Sequence, residues 1–198
     1  MILMRGRSGL LFLLGLLFFL PLPAQIGQVR FQQLTVADGL SDQYINCVFQ
    51  DSRGFLWIGT ANGLNRYNGY EFTVFEYNPG DSQSLSSNWV RVIEEGQEGH
   101  LWVGTEKGLN RWDPRTGKFR RFLHEEDNSN SIGHDHIFAL HCDAQGSLWV
   151  GTKAPGLYRY SPDTGAFEYY RYSSDSLSSD DAVKSILEDE QGWLWLGT

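Results

Sequence analysis

"DSRGFLWIGTANGLNRYNG", residues 51–69, holds a turn, a short apolar run centred on one Trp, a second Gly turn and another strand-like run. The chain repeats it as "GQEGHLWVGTEKGLNRWDP" (96–114) and "DAQGSLWVGTKAPGLYRYSP" (143–162), then starts it again as "DEQGWLWLGT" (189–198). The anchoring residues Trp57, Trp102, Trp149 and Trp195 are 45, 47 and 46 positions apart. A period near 46 is too long for leucine-rich or ankyrin units and suits a four-stranded propeller blade.

Each repeat parses into strands, with no helical periodicity. The first is "INCVFQD", "VRVIEEG", "IFALHCD" and "VKSILED", each led by an aliphatic residue twelve places before the Trp. The second is "LWIGT", "LWVGT", "LWVGT" and "LWLGT"; the third "GLNRY", "GLNRW" and "GLYRY"; the fourth "EFTVFEY", "KFRRF" and "AFEYYRY". Asp51 to Gly54 joins the first two strands, because an Asp at the start of a type I turn bonds the turn backbone and a Gly at its end takes the left-handed conformation. "NG" (68–69), "DPRTG" (113–117) and "SPDTG" (161–165) are hairpin signals between strands three and four.

A small meander with apolar residues on both faces must lean on another sheet to stay dry. The Trp of "LWxGT" is therefore expected in the core of all four units. Gly59, Gly104, Gly151 and Gly197, two places on, leave room for the next blade. The predicted fold is all-β, an incomplete β-propeller of four-stranded antiparallel blades. The blades are placed at about 45–77, 90–123 and 137–172, with a half blade at 183–198. Residues 29–36 are predicted to be an orphan outer strand, since Phe31 aligns with Phe72 and Phe119. Three and a half blades lead to the expectation of a piece of a longer protein whose remaining blades lie elsewhere.

The first 24 residues are separate. Arg5 and Arg7 precede an apolar stretch, Leu10 to Leu20, and "PLPAQ" closes it. This predicts a signal peptide, 1–24, cut after Ala24, and an exported partial propeller, 25–198. The eleven-residue apolar run is short for a membrane span. The formal net charge is −8, and losing Arg5 and Arg7 leaves −10. With an acidic balance and no Lys/Arg run, the counterion-release attraction behind nucleic-acid binding is missing. Cys47 and Cys142 fall at different places in their repeats and are read as small buried residues, not a disulfide.

The pattern "V..I..D..G.LW[IV]GT..GL.RY....G.F" over residues 29–198 resembles the two-component-regulator propeller repeat, and "LTVADGLSDQYINCVFQDSRGFLWIGT" resembles the start of such sensors. The resemblance implies an exported, periplasmic sensor whose parent is anchored in the inner membrane. It implies further blades, a membrane helix and a histidine kinase downstream, with phosphorelay output, an oligosaccharide ligand and a possible homodimer. Two departures stand out: Gly96 replaces the turn Asp in the second repeat, and "KAPG" (153–156) carries an extra residue.

In a repeat protein, packing explains the residues that agree, so the columns that differ carry the function. Tyr44, Trp89 and His136 occupy one such column, just before the first strand, with Asn88 and Asp135 beside them; these five are the candidate ligand-binding residues. The ordinary reading of the same residues is rim cover and solvated loop. "GHDHIFALHCD" (133–143) does not fit a metal site: on a strand His136 and His141 face opposite ways, and the spacing matches no zinc pattern. The acidic loops lack the spacing of a calcium loop. No cofactor is expected. A sialidase Asp box, a quinone-dependent dehydrogenase pattern, a nucleophile elbow and a phosphate loop are all missing, so this segment is read as non-catalytic. The competing readings are an exported carbohydrate-active propeller enzyme and a scaffold propeller that holds a protein partner.

Overall fold

The protein is described by a computed structural model. It describes residues 31–171 and 181–198; those up to residue 33 belong to one unit and those from 34 onward to a second. The predicted signal peptide lies outside the described residues. Among the described residues no helix is long and apolar enough to cross a membrane. In the first unit, residues 31–33 have no regular structure. All that follows concerns the second.

Alternating apolar residues between Asp-initiated and Gly-closed turns produce three antiparallel meanders in strand order. The first blade is β1 (Ile45–Gln50), β2 (Leu56–Thr60), β3 (Gly63–Tyr67) and β4 (Phe72–Phe75). The second is β5 (Val90–Glu95), β6 (Leu101–Thr105), β7 (Gly108–Asp113) and β8 (Lys118–Phe122). The third is β9 (Ile137–Cys142), β10 (Leu148–Thr152), β11 (Leu157–Ser161) and β12 (Ala166–Tyr170). A two-stranded sheet follows, β13 (Ser185–Glu188) with β14 (Leu194–Gly197). The first strands β1, β5, β9 and β13 lie side by side, as in a propeller around its axis, and the four sheets do not close a ring.

The outer strand expected at 29–36 does not form in its described part. Residues 31–35 are irregular and Val36–Asp38 is a 3-10 turn, boxed by Thr35 and Asp38 and closed by Gly39 at φ 106°. An outer strand takes its hydrogen bonds from a third strand beside it, and none of the described strands pairs with these residues.

Two apolar clusters fill the gaps between blades. Trp57, Leu64, Val90, Leu101, Val103, Trp112 and Phe119 join the first gap, and Trp102, Leu109, Ile137, Leu148, Val150, Tyr160 and Phe167 the second. The indole of one blade is covered by the third-strand aromatic of the next. Trp57 meets Trp112 edge-on at 4.8 Å between ring centroids, and Trp102 meets Tyr160 at 5.1 Å. Burying such a ring removes roughly 150–250 Å² from water, about 4–6 kcal/mol as an upper bound.

This geometry corrects the expectation that all four Trp are core. Trp57 and Trp102 are buried, but Trp149 is half-buried against Tyr170 of its own blade, and Trp195 is 63% exposed. The cover each lacks is a following third strand, which the described residues do not provide. The Gly column behaves as expected at the complete interfaces. A Cβ on Gly59 would stand 2.6 Å from Val90 Cγ1, and one on Gly104 2.6 Å from Ile137 Cγ2, both on the next blade's first strand. Gly151 touches Val183 in the same way, whereas Gly197 meets only Ser185 of its own sheet.

The Thr of "LWxGT" and the Asn of "GLN" belong to a buried network. Asn65 Nδ2 donates to Ser41 Oγ (2.8 Å) and to the Ile58 carbonyl, Ser41 N–H donates to Asn65 Oδ1 (2.9 Å), and Thr60 lies 3.0 Å from the Ser41 hydroxyl. Asn110, Ser86 and Thr105 repeat it in the second blade. In the third blade Tyr158 stands in the Asn place and Gly133 in the Ser place, and a Cβ on Gly133 would collide with the Tyr158 hydroxyl. Two substitutions 25 residues apart thus compensate for each other in space.

Candidate functional site

The column Tyr44, Trp89 and His136 is held by one backbone device in every blade. The carbonyl of each accepts from the residue after the repeated Thr: Ala61 N–H to Tyr44 O (3.0 Å), Glu106 to Trp89 (3.2 Å) and Lys153 to His136 (2.9 Å). Fixed backbones therefore present three different side chains on one rim. Tyr44 is 62% exposed, and its ring lies 6.0 Å from Trp89 at a tilt of 52°. Trp89 Nε1 and His136 Nε2 are both buried, and neither has a hydrogen-bond partner among the described residues.

Asn88 and Asp135 turn out to be clamps between blades. The Asn88 carbonyl accepts from Gly63 N–H (2.7 Å), its Oδ1 from Tyr77 N–H (2.6 Å), and its amide donates to Asn62 Oδ1 (3.1 Å). Asp135 repeats this with Gly108 N–H on its carbonyl and His124 N–H on Oδ1, each at 2.7 Å. Their polar groups tie the end of one blade to the loop leading into the next.

Three rim residues were missed by sequence reasoning. The first strands bulge one place inside their aliphatic leader, between Ile45 and Cys47 and between Val90 and Val92, and the third blade shows the matching register shift. A bulge re-aims the residue it carries, here Asn46, Arg91 and Phe138. Asn46 Nδ2 donates to the Val90 carbonyl (2.7 Å). Arg91 pairs with Glu106 at 2.7 Å and lies 5.9 Å from the Phe138 ring, which is 4.8 Å from His136. Strict alternation in "INC", "VRV" and "IFA" gives no sign of the bulge.

The rim's electrostatics disfavour charge on His134 and His136. Burial and the nearby Arg91 guanidinium hold His136 below the usual histidine range, with Glu106 opposing them. Burial and Lys153 lower His134, whose Nδ1 accepts from His136 N–H at 2.9 Å. A tilted aromatic pair beside one ion pair suits stacking against a flat polar molecule that offers hydroxyl donors and acceptors. Among the described residues no group of three or more His, Cys, Asp or Glu has the geometry to hold a metal ion.

Known proteins share this architecture. The extracellular domain of the hybrid two component system BT3049 from B. thetaiotaomicron superposes with a TM-score of 0.74 at 28% identity, over 84% of this chain and 23% of that one. That of the hybrid two component system BT4673 from the same organism gives 0.64 at 27% identity, over 81% of this chain and 21% of that one. Histidine kinase P4 of Formosa agariphila is 41% identical over 64 residues, 32% of this chain and 5% of the kinase. The chain thus spans less than a quarter of the length of each of these proteins. Residues 39–62, 84–107, 131–154 and 176–198 each match the two component regulator propeller, and the chain belongs to that family.

Proposed function

We propose that this chain is the signal-receiving part of an exported two-component sensor, that it recognises an oligosaccharide without transforming it, and that Tyr44, Trp89 and His136 meet the sugar. The observation that carries the reading is the rim itself: three equivalent backbones present different side chains, among them an exposed Tyr44 whose ring lies 6.0 Å from that of Trp89. An exposed Tyr tilted against a second aromatic ring, beside the Arg91–Glu106 ion pair, is a surface on which a sugar face stacks. The likeness to extracellular domains of hybrid two component systems supports the placement on the periplasmic side. The parent would then be a histidine kinase held in the inner membrane, and ligand binding would bias the arrangement of propellers or of a homodimer and pass that bias through a membrane helix.

The test is calorimetric titration of the full chain with a panel of oligosaccharides. Trp89→Ala should weaken binding about tenfold or more, roughly 1.4 kcal/mol, while Glu168→Ala, on the exposed outer strand, should leave it unchanged. Equal effects of the two variants would rule out this rim as the binding face.

A further inference from the structure

At the opposite end of the first strands, six residues or about 20 Å from the rim, the turns into the second strands repeat one carboxylate device. Asp51 Oδ1 accepts from Arg53 and Phe55 N–H, at 3.0 and 2.9 Å, and Oδ2 from the Trp57 indole at 2.9 Å. Asp143 does the same for Gln145, Ser147 and Trp149, and Asp189 for Gln191, Trp193 and Trp195, with indole distances of 2.8 Å in both. In the first blade a guanidinium joins in, with Arg53 Nη2 3.4 Å from Asp51 Oδ2.

The second blade keeps the indole and has lost the acid. Gly96 stands in the Asp place, and Trp102, 5% exposed, has no acceptor for its Nε1–H among the described residues. The neighbouring arginine has no acid across from it either, as is also true of Arg66 in the first blade, which faces Thr73. Arg159 of the third blade pairs with Glu168 at 3.1 Å, but Arg111, at the same place in the second, faces Arg120 across the strand pair. Like charges directly opposed repel, and among the described residues Arg111 makes no ion pair; it stacks on Trp102 at 5.7 Å. Trp102 and Arg111 line one cavity of about 150 Å³ between blades two and three, closed on the far side by Gly146, Leu148 and Tyr160. Gln97, His100 and Glu98 stand at it as well; Glu98 is its one acid, is exposed, and no hydrogen bond or ion pair joins it to Arg111.

We propose that this cavity is a binding site for a small carboxylate, such as the carboxyl group of a uronic acid, held by the Trp102 indole N–H and the Arg111 guanidinium in place of the aspartate that the sister turns supply. A carboxylate is the fitting anion because the chain itself puts one against the equivalent indole three times, and once against an indole and a guanidinium together. The site is independent of the rim, and its failure would leave the rim reading untouched.

Titration of the ¹⁵N-labelled full chain with sodium acetate and with galacturonate, at matched ionic strength, tests the proposal. One indole N–H resonance, assigned to Trp102 by its loss in Trp102→Phe, should shift and saturate. Arg111→Gln should weaken the apparent affinity about tenfold. Gly96→Asp supplies the carboxylate from within, on an extended backbone at φ −100°, and should abolish the response; its Cβ would stand 2.8 Å from Trp102 Nε1, so Gly96→Ala, which displaces the indole without adding an acid, is the steric control and should still respond. Galactose, chloride and sulfate should leave the resonance in place. The proposal is overturned if carboxylates do not move this resonance, if galactose or chloride moves it equally, if Gly96→Asp responds like the wild type, or if the indole proton shows only a bound water that acetate does not displace.

Discussion

Gly104→Ala tests the stacking of blades directly. A Cβ there would stand 2.6 Å from Ile137 Cγ2 and from Val92 Cγ1, and 2.9 Å from Ile137 Cβ. Carbon atoms in good contact are about 3.5–4.0 Å apart, so the shortfall is about 1 Å. Neither neighbour gives way easily: both are β-branched with one stiff torsion, and Ile137 is fully buried. The second and third blades must part, or a side chain must leave its rotamer, at a cost of about 1–3 kcal/mol. In an unstrained place Gly→Ala stabilises by about 0.4–1 kcal/mol through the unfolded chain, so the clash decides the sign. For a chain of this size the loss corresponds to a Tm lower by about 2–12 °C. Thermal unfolding of the full chain, followed by circular dichroism, measures it, with Gly80→Ala as control. At Gly80 the nearest atom to a new Cβ is Asn78 Oδ1 at 3.4 Å, and the change should stay within about 0.5 kcal/mol. If Gly104→Ala melts with the control, the second-strand glycine does not exist to admit the next blade.

Asp51→Ala should cost about 2–3 kcal/mol, since it strands a buried indole N–H and two turn amides; Asp189→Ala, whose Trp195 is exposed, should shift the urea midpoint far less, and equal shifts would refute the role of burial. Burial pushes the thiols of Cys47 and Cys142 up to about 12, so neither should react with a disulfide reagent at pH 8 until the chain is unfolded; native labelling at the rate of a free thiol would contradict this. Glu94 is raised above its ordinary value of 4.5 chiefly by burial, against the pull of the Cys142 amide and His141. Folding therefore favours its protonated form, and that contribution, complete below 4.5, is lost as pH rises through the raised value. Glu94→Gln should accordingly melt above the wild type at pH 7, with the difference shrinking toward pH 4; a wild type that outlasts it at pH 7 would reverse the sign.

The strands and blade limits were legible because their signals are local. An Asp–Gly turn, a two-residue alternation and a Trp twelve places from an aliphatic leader each act within a dozen residues, and the repeat shows the turn three times and the Trp spacing four. The candidate site was legible only in part. Tyr44, Trp89 and His136 stood out as a variable column and do share one rim. Asn88 and Asp135 sit in that column's neighbourhood too, but their bonds to Tyr77, His124, Gly63 and Gly108 involve segments no pattern links to them. Arg91 and Phe138 were hidden because a bulge changes the face of a residue without changing its type.

By itself, then, the sequence determined the repeat, the four-stranded unit and the need for each unit to lean on another. Those follow from periodicity and from apolar faces that cannot stay in water. Tertiary structure decided which Trp is dry, since an indole is covered by the third strand of the following blade and Trp195 has none among the described residues. It also decided what Gly96 means: in the sequence a lost turn residue, in space an indole and an arginine around a cavity whose one acid, Glu98, is bonded to neither of them among the described residues. Contacts between blades join residues some 45 positions apart, and no local rule of chain geometry reaches that far.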